Sequence, residues 1–342
     1  MDTAAAPVRL CDMTESSVRS RVWRNGVLEV ENFPFEQISD YLEQPDCVVW
    51  VDVCAPDAAR LDALAEELSL DAHAVEDAVT PRERPKATHY ATHIFITAYG
   101  LRVFDQTSHS GAAVEACQIS AFAMPNALIT VRRDDLFDMQ PIVDRWDNNS
   151  ELTQLGAKAL LHGLLDVAVD TYFDCIQLLD DEVESVEDTL FDDGKYTTAE
   201  VQKRTFTLRK SLVHTRRVVL PMREVVNTVR RYGNNAAELD PYFDDLYDHV
   251  LRASEWSESL RDMITSIYET NLSLADARMN MIMKKLTSWA AIIAVPTAIT
   301  GFYGQNVPYP EFGTRTGFLV STGAIVLISF ALWLGFRRRD WL

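Results

Sequence analysis

Two long apolar runs near the end of the 342-residue sequence constrain its fold more than any other feature. Residues 286–310 contain no charged side chain, and neither do residues 316–336. A helix needs about 20 apolar residues to cross a bilayer, and each run supplies enough. Two buried core helices are the alternative, but both would have to cover all of their faces. The runs therefore predict two transmembrane helices, 286–306 and 316–336.

Basic side chains flank both predicted spans on the same side of the membrane. They are Lys284 and Lys285 before the first span, and Arg337, Arg338 and Arg339 in the tail 337–342. Basic residues concentrate on the cytoplasmic side of membrane proteins, so we expect both termini in the cytoplasm and the loop 307–315 outside. The predicted location is the plasma (inner) membrane, with the lipid bilayer as one partner.

Composition excludes several classes of protein. The formal net charge of −19 argues against a nucleic-acid-binding protein, because such proteins need a basic surface. The five cysteines form no Cys-x-x-Cys pair, which fits a reducing compartment rather than a disulfide framework. The sequence has no glycine-rich phosphate loop, no nucleophile elbow and no clustered histidines. We therefore predict that the protein is not an enzyme.

The N-terminal part, residues 1–150, alternates strand-like and helix-like stretches. Asp57–Leu68 and Asp71–Val79 have helical spacing of apolar residues, and each begins with an aspartate that can cap a helix. The predicted strands, rich in apolar and β-branched residues, are Val27–Val30, Val48–Val53, His93–Leu101, Ala116–Ala123 and Ala127–Val131. The fold class predicted is an α+β membrane protein with a cytoplasmic mixed α/β domain at its N-terminus.

Residues 151–240 follow as a predicted cytoplasmic helical hairpin, with long helices over Gly156–Leu190 and Thr198–Tyr232. The stretch Asp166–Asp193 carries eleven acidic residues and no basic one. Such a run is commonly a solvated helix face. The alternative is a surface that attracts cations near a pore entrance. The sequence leaves both interpretations open.

Residues 241–285 form a predicted stalk helix that continues into the first span, so that one helix covers Pro241 to Tyr303. Its apolar face repeats at alternating steps of four and three residues, which is a heptad pattern. The face consists of Leu246, Val250, Ala253, Ser257, Leu260, Ile264, Ile267, Asn271, Leu274, Arg278 and Met281. We expect this face to pack with copies of the same helix. Its polar positions favour a wide bundle with a wet lumen over a tight dimer.

The end of the first span carries the motif Gly304-Gln305-Asn306. A terminal pair of spans with this motif between them resembles the CorA-type family of metal-ion transporters, whose hallmark is Gly-Met-Asn at this place. Further segments resemble the family in the same order along the chain. They are His73–Asp77 with Arg84–Lys86, Asn280–Thr287, Pro296-Thr297 and the basic C-terminus Arg337–Leu342.

The resemblance implies a homopentamer that conducts divalent cations, with Mg²⁺ or another divalent cation as the transported and the regulatory ion. It implies that Asn280, Met283, Leu286 and Thr287 line the pore. It also makes Glu76 and Asp77 candidates for a regulatory metal site whose occupancy holds the pore shut.

The residues themselves suggest how such a filter would work. Mg²⁺ gives up its water shell reluctantly, and the spans offer no carboxylate that could strip it. The Gly304 carbonyl and the amides of Gln305 and Asn306 could instead accept hydrogen bonds from the ion's water ligands. Glu311 could gather cations at the outer mouth, or it is only a charge in the loop. The other interpretation is that Gln305 and Asn306 merely cap the helix.

One position departs from the family pattern, because Gln305 stands where most members have Met. Ion choice therefore stays open between Mg²⁺, with Co²⁺ or Ni²⁺ as further ions, and Zn²⁺ in a transporter of the same architecture. A membrane-anchored scaffold or sensor that conducts nothing is the third hypothesis.

Overall fold

The computed structural model describes residues 17–44, 46–104, 113–190, 198–232, 237–305 and 313–342. The strands are β1 (Ser17–Arg24), β2 (Val27–Glu31), β3 (Cys47–Cys54), β4 (Lys86–His89), β5 (Ile94–Phe104), β6 (Ala113–Ala123) and β7 (Ala127–Arg132). The helices are α1 (Ile38–Leu42), α2 (Ala58–Glu67), α3 (Ala72–Val79), α4 (Gln140–Asn148), α5 (Ser150–Thr153), α6 (Ala157–Leu190), α7 (Thr198–Tyr232), α8 (Asp240–Tyr303) and α9 (Arg315–Arg338).

The strands form one mixed sheet in the order β2-β1-β3-β7-β6-β5-β4. Its central pair, β3 and β7, is parallel, with Val51 opposite Ile129. The other neighbouring strands are antiparallel. A strand buried on both faces should be apolar almost throughout, and β3 is, with Val-Val-Trp-Val at its centre. The mixed α/β domain expected from the sequence is confirmed.

One face of the sheet packs against the short helices. The buried residues Val49, Val51 and Val53 of β3 share a core with Leu64 of α2 and Ala74 of α3. Both of these helices begin as predicted, at an aspartate that accepts a hydrogen bond from the first turn. Asp57 accepts from the Arg60 amide at 2.7 Å, and Asp71 accepts from the His73 amide at 2.9 Å.

The opposite face packs against α4 and α6. Trp146 of α4 meets the rings of Trp23 and Trp50 edge-on, with centroids 5.8 and 5.0 Å apart. Its indole N–H donates to the Leu160 carbonyl at 3.2 Å. A Cβ at Gly163 would lie 2.5 Å from Trp146 Nε1, so only glycine allows α6 to approach this closely. This layer fixes the start of α6 against the sheet.

A buried ion pair joins the two central strands. Arg132 Nη2 lies 2.6 Å from Asp52 Oδ2, and both side chains are at least 98% buried. The Thr130 hydroxyl donates to Asp52 at 2.7 Å, and Arg132 also donates to the Phe137 carbonyl at 3.0 Å. Burial by itself would lower the pKa of Arg132, but its bonds to Asp52 hold that pKa above the ordinary value. The Arg132 guanidinium therefore keeps its charge, and both members of the pair are hydrogen-bonded, which a buried pair requires.

The structure divides into two compact units, residues up to Ile267 and residues from Tyr268 onward. Helix α8 is a single helix of 64 residues, as the sequence predicts. Among the described residues, two helices are long and apolar enough to cross a membrane, judged by length and composition. They are α8, which ends at Tyr303, and α9 (Arg315–Arg338). Their apolar side chains are largely exposed in the isolated chain, as with Leu327 at 70%.

Over the first half of α8, the heptad face packs against other helices of the same chain and not, as expected, against copies of α8. Leu246, Val250 and Leu260 are fully buried within the single chain. Ion pairs from Arg216 to Glu258, and from Arg230 to Asp244 at 2.5 Å, join this half of α8 to α7. Burial by the chain's own helices means that this half cannot pack with copies of itself along the same face.

Candidate ion pathway and metal-binding residues

The apolar half of α8 ends in a tightened turn at the predicted filter. The Gly304 amide donates to the Thr300 carbonyl at 2.8 Å, and the Gln305 amide donates to the Phe302 carbonyl at 3.3 Å. This second bond spans three residues, which is the usual way to close a helix end. A Cβ at Gly304 would lie 3.0 Å from the Thr300 oxygen, closer than most side chains tolerate. Glycine thus allows the turn that presents Gln305.

The structure places part of the predicted filter. Gly304 and Gln305 are adjacent and exposed at this end of α8. Asn306 and the predicted outer-mouth residue Glu311 lie outside the described residues.

The threonines near Pro296 are internally satisfied. The Thr297 hydroxyl donates to the Ile293 carbonyl at 3.1 Å, and the Thr300 hydroxyl donates to the Pro296 carbonyl at 2.8 Å. A hydroxyl bonded to its own helix can face an apolar surrounding at little cost. This segment therefore stays compatible with a membrane.

The four residues expected to line the inner pore lie on the second half of α8, and all are exposed. Steps of three and four residues place Asn280, Met283 and Thr287 on one helix face. Leu286 flanks that face and is 63% exposed. Neighbouring apolar residues such as Ile282 are equally exposed, so exposure alone does not select the pore-lining face.

The two predicted regulatory carboxylates lie on α3. Glu76 is exposed, whereas Asp77 lies 2.7 Å from Lys86 Nζ. Lys86 also contacts Glu83 at 3.0 Å. Burial would lower the pKa of Lys86, but the hydrogen bonds to Asp77 and Glu83 raise it above the ordinary lysine value. Lys86 thus already neutralises Asp77. Within the described residues, neither Glu76 nor Asp77 joins a cluster of three metal-ligating groups.

A different cluster brings three possible ligands together. Asp166 and Asp170, one turn apart on α6, face His249 of α8, and their ligand atoms all lie within 4.8 Å of one another. His249 Nε2 lies 3.7 Å from Asp245, while His249 Nδ1 is buried without a hydrogen-bond partner among the described residues. Two carboxylates and an imidazole can hold a divalent cation, and the imidazole suits Co²⁺, Ni²⁺ or Zn²⁺ better than Mg²⁺.

Arg145 of α4 competes for this cluster. Its guanidinium pairs with Asp166 and lies 3.1 Å from Asp170. Burial and the nearby Asp166 charge raise the pKa of Asp170, and the opposing effect of Arg145 is smaller. A dication bound here would relieve the repulsion between the two carboxylates. It would do so in place of, or beside, the guanidinium.

The sequence carries only a partial signal for this cluster. Asp166 and Asp170 begin the acidic stretch that fits either a solvated face or a cation-attracting surface. His249 is one of the scattered histidines, and no other histidine lies near it in the sequence. The signal that could have found the site is the spacing of four residues between the aspartates, but it does not reveal the third ligand from another helix.

Comparison with known proteins decides the family. Residues 46–338 match the family profile described as CorA-like Mg²⁺ transporter protein. The chain belongs to this family. It is a membrane transporter of divalent metal cations, built from an N-terminal α/β domain, a long helix and two apolar C-terminal helices.

Relatives match this CorA-like chain over most of their length. The cobalt/magnesium transport protein CorA of Thermotoga maritima is 29% identical over 274 residues, 78% of this chain and 76% of the relative. The putative metal ion transporter YfjQ of Bacillus subtilis is 26% identical over 316 residues, 91% of this chain and 94% of the relative.

Solved structures share the fold. The complete CorA magnesium transporter of Methanocaldococcus jannaschii has a TM-score of 0.73 at 24% identity, covering 95% of this chain and 98% of its own. The full-length CmaX protein has a TM-score of 0.73 at 19% identity, covering 94% and 97%. The similarity extends through both apolar C-terminal helices.

Proposed function

We propose that five copies of this chain surround an axis lined by the second half of α8 and pass a hydrated divalent cation along it. Mg²⁺ is the first expected ion, followed by Co²⁺ and Ni²⁺. The observation that carries the proposal is the end of α8, where an apolar helix with exposed side chains closes on Gly304 and presents the Gln305 amide. A single α8–α9 hairpin encloses no pore, so conduction requires an oligomer.

Selection at the filter would act on the ion with its water shell. The Gly304 carbonyl, Gln305 and Asn306 of each copy would form rings of neutral oxygens that accept hydrogen bonds from the water ligands. Uncharged dipoles hold a hydrated dication without stripping it, which Mg²⁺ resists strongly. Glu311 would concentrate cations at the outer entrance.

The inner end would close through its apolar side chains. Met283 and Leu286 are exposed in the single chain and would face the axis together with Asn280 and Thr287. A narrow apolar ring excludes water and so blocks ions without a physical plug. With the basic tail on the cytoplasmic side, we place both termini in the cytoplasm and the protein in the plasma membrane.

Cytoplasmic metal binding would control this pore. The cluster Asp166, Asp170 and His249 is the stronger regulatory candidate, because its ligand atoms already converge. Glu76 and Asp77 remain candidates only if Lys86 releases Asp77. His249 lies on α8, the helix that also ends at the filter, so metal occupancy would shift the population of α8 arrangements.

Ion flux into proteoliposomes tests the pore. We expect the parent protein to take up Mg²⁺, Co²⁺ and Ni²⁺, and Asn306→Ala to lower or abolish uptake. Asn148→Ala, an exposed asparagine at the end of α4, is the matched control and should leave uptake unchanged. Equal flux in the parent and Asn306→Ala would favour the non-conducting scaffold, and native mass spectrometry of the same samples would count the copies.

Metal titration tests the regulatory cluster. A bound metal raises the free energy of unfolding by about 2.7 kcal/mol at a concentration of about 100 Kd. We expect Co²⁺ to raise the melting temperature of the parent, Asp166→Asn to remove most of this gain, and Arg145→Gln to shift it to lower Co²⁺ concentration. Asp174→Asn, one turn further along α6, is the control. The same gain in Asp166→Asn and the parent would exclude the cluster.

Zn²⁺ transport is the second candidate, because the imidazole of His249 suits Zn²⁺ as well as Co²⁺. Two relatives named for cobalt and magnesium favour the first candidate. The flux assay with Zn²⁺ in parallel decides between them, since the Zn²⁺ transporter predicts Zn²⁺ uptake that exceeds Mg²⁺ uptake.

A further inference from the structure

A small cavity of about 140 Å³ opens at one end of the sheet, and its lining shares no residue with the cluster of Asp166, Asp170 and His249 or with the proposed pore. It lies beside the turn between β4 and β5, the turn between β6 and β7, the first turn of α6 and the last turns of α7. Its lining includes Tyr90, His93, Pro125, Lys158 and Val229. Sites for drug-sized molecules measure roughly 300–1,000 Å³, so this cavity suits a small ion or group.

Lys158 places a positive charge where a helix disfavours one. It is the second residue of α6, and the first turn of this helix contains no acidic residue. The N-terminus of a helix carries a partial positive charge, so anions are stabilising there and cations are not. Among the described residues, no carboxylate lies within ion-pair distance of Lys158. Its ammonium group lies 5.3 Å from the centroid of the Phe243 ring.

Burial makes the positive charge of Lys158 still less favourable. It lowers the pKa of Lys158, and the nearby Arg230 charge acts in the same direction, while Asp240 opposes both. Arg230 is paired with Asp244, which leaves Lys158 as the charge at the cavity without a counter-ion in the described structure. An anion in the cavity would satisfy both the lysine and the helix end.

His93 supplies a second group that lacks a partner. It is 4% exposed, and its ring stacks on Tyr90 with centroids 5.0 Å apart. Its Nδ1 lies 2.9 Å from the Thr92 hydroxyl. Its Nε2 is buried, and no hydrogen-bond partner lies near it in the described part of the chain. An unpaired buried polar atom costs about 1–3 kcal/mol, so its presence in the cavity wall needs an explanation.

The two groups complement one kind of ligand. The Thr92 hydroxyl donates its single proton to the Ser69 carbonyl at 3.2 Å, so its oxygen accepts from His93 Nδ1 and the free lone pair of the ring lies on Nε2. We propose that the cavity binds a small oxyanion that still carries a proton, with Lys158 supplying the charge and His93 Nε2 accepting a hydrogen bond from the O–H of the ion. Phosphate fits the chemistry, because it offers several acceptor oxygens at a helix N-terminus. The site would let the cytoplasmic unit respond to an anion independently of the transported cation.

Calorimetric titration of the full-length protein with inorganic phosphate is the primary test. The buffer is free of magnesium, so that phosphate cannot act by chelation, and sodium chloride at matched ionic strength is the reference. We expect saturable binding of phosphate, weaker binding of sulfate, which has no proton to donate to His93 Nε2 near pH 7, and no effect of chloride. Absence of saturable phosphate binding to the parent up to tens of millimolar would overturn the proposal and identify the cavity as water-filled.

Variants locate the bound ion. Lys158→Met and His93→Gln should weaken phosphate binding by about tenfold or more, equivalent to roughly 1.4 kcal/mol. Lys210→Met and His73→Gln change an exposed lysine and an exposed histidine elsewhere in the same unit, and they should bind phosphate like the parent. Equal affinity in Lys158→Met and the parent would place the phosphate elsewhere. Tight Zn²⁺ binding lost in His93→Gln, without phosphate binding, would also overturn the proposal.

Discussion

The two halves of α8 carry one heptad pattern and meet two different surroundings. From Leu246 to Ile267 the apolar face is buried by the chain itself, largely through α6 and α7. From Tyr268 to Tyr303 most apolar side chains are exposed, as with Ile293 at 62%. The heptad spacing therefore indicates that this face packs against another surface. It does not indicate whether that surface belongs to the same chain.

This difference separates what holds the fold from what serves transport. The first half belongs to a unit that contains the sheet and a buried ion pair, and it forms ion pairs with α7. Its stability therefore comes from within the chain. The second half has no comparable interior among the described residues. We expect its partners to be lipid, α9 or other copies. Variants in the first half should change stability, and variants in the second half should change transport.

The largest effect is expected for the buried ion pair of the first unit. Arg132→Leu leaves the Asp52 carboxylate buried without its partner, which typically costs about 4 kcal/mol. Chemical denaturation of the full-length protein in detergent should show this loss. Arg24→Leu, which removes an exposed pair with Glu29, is the control and should leave the midpoint nearly unchanged. Similar midpoints for both variants would mean that the sheet does not set the stability of the unit.

Paired leucines on α8 test the comparison directly. Leu260 is fully buried and Leu286 is 63% exposed in the single chain. We expect Leu260→Ala to lower the free energy of unfolding by about 3 kcal/mol, because it leaves a cavity against the neighbouring helices. Leu286→Ala should leave unfolding nearly unchanged and alter Mg²⁺ flux. A stability loss of equal size in both would show that the assembled protein buries the second half as tightly as the first.

Much of the fold could be predicted because its signals are local. Capping aspartates fix the starts of α2 and α3, and the apolar run of β3 indicates a strand buried on both faces. The strands β1 and β4 carry no such local signal and are not among the predicted strands. β1 mixes arginine and serine with Val22 and Trp23, and β4 has only four residues, so neither shows a clean period. Each of these strands forms through pairing with its neighbour in the sheet, β1 with β3 and β4 with β5, rather than through a pattern in its own sequence.

The candidate sites divide in the same way. The motif of the predicted filter is contiguous, so its position at the end of α8 follows from the sequence, although Asn306 and Glu311 lie outside the described residues. The cluster of Asp166, Asp170 and His249 depends on the packing of α8 against α6. No local pattern encodes that contact. The predicted regulatory role of Glu76 and Asp77 stays a prediction. The ion pair between Asp77 and Lys86 could not be predicted from their spacing in the sequence.

A smaller effect is expected at the tip of the second half. Gln305→Met should change the ratio of Mg²⁺ to Co²⁺ flux by about fivefold, or roughly 1 kcal/mol, because it exchanges an amide for an apolar thioether. Melting temperature and copy number should stay as in the parent, since Gln305 is exposed at the helix end. Parallel flux assays with the two ions give the ratio. An unchanged ratio would argue that Gln305 does not face the ion path.

The smallest effect concerns the pH response of the first half. His162 of α6 donates from Nε2 to the Tyr242 carbonyl of α8 at 3.1 Å, and its Nδ1 is buried without a partner among the described residues. Burial lowers the pKa of His162 below its unfolded value of about 6.5, although the Asp166 charge opposes this. The unfolded chain therefore binds the proton more readily, and stability is lost as the pH falls below that unfolded value.

His162→Gln tests this link, because the amide can keep a donor for the Tyr242 carbonyl but cannot take up a proton. We expect the melting temperature of the parent to fall between about pH 7.5 and pH 5.5, and that of the variant to fall less. Burial also lowers the pKa of His93 and His214, so the variant should keep part of the dependence. Identical pH profiles would show that the contact between α6 and the start of α8 tolerates the added charge, and that the first half of α8 is held less rigidly than its burial indicates.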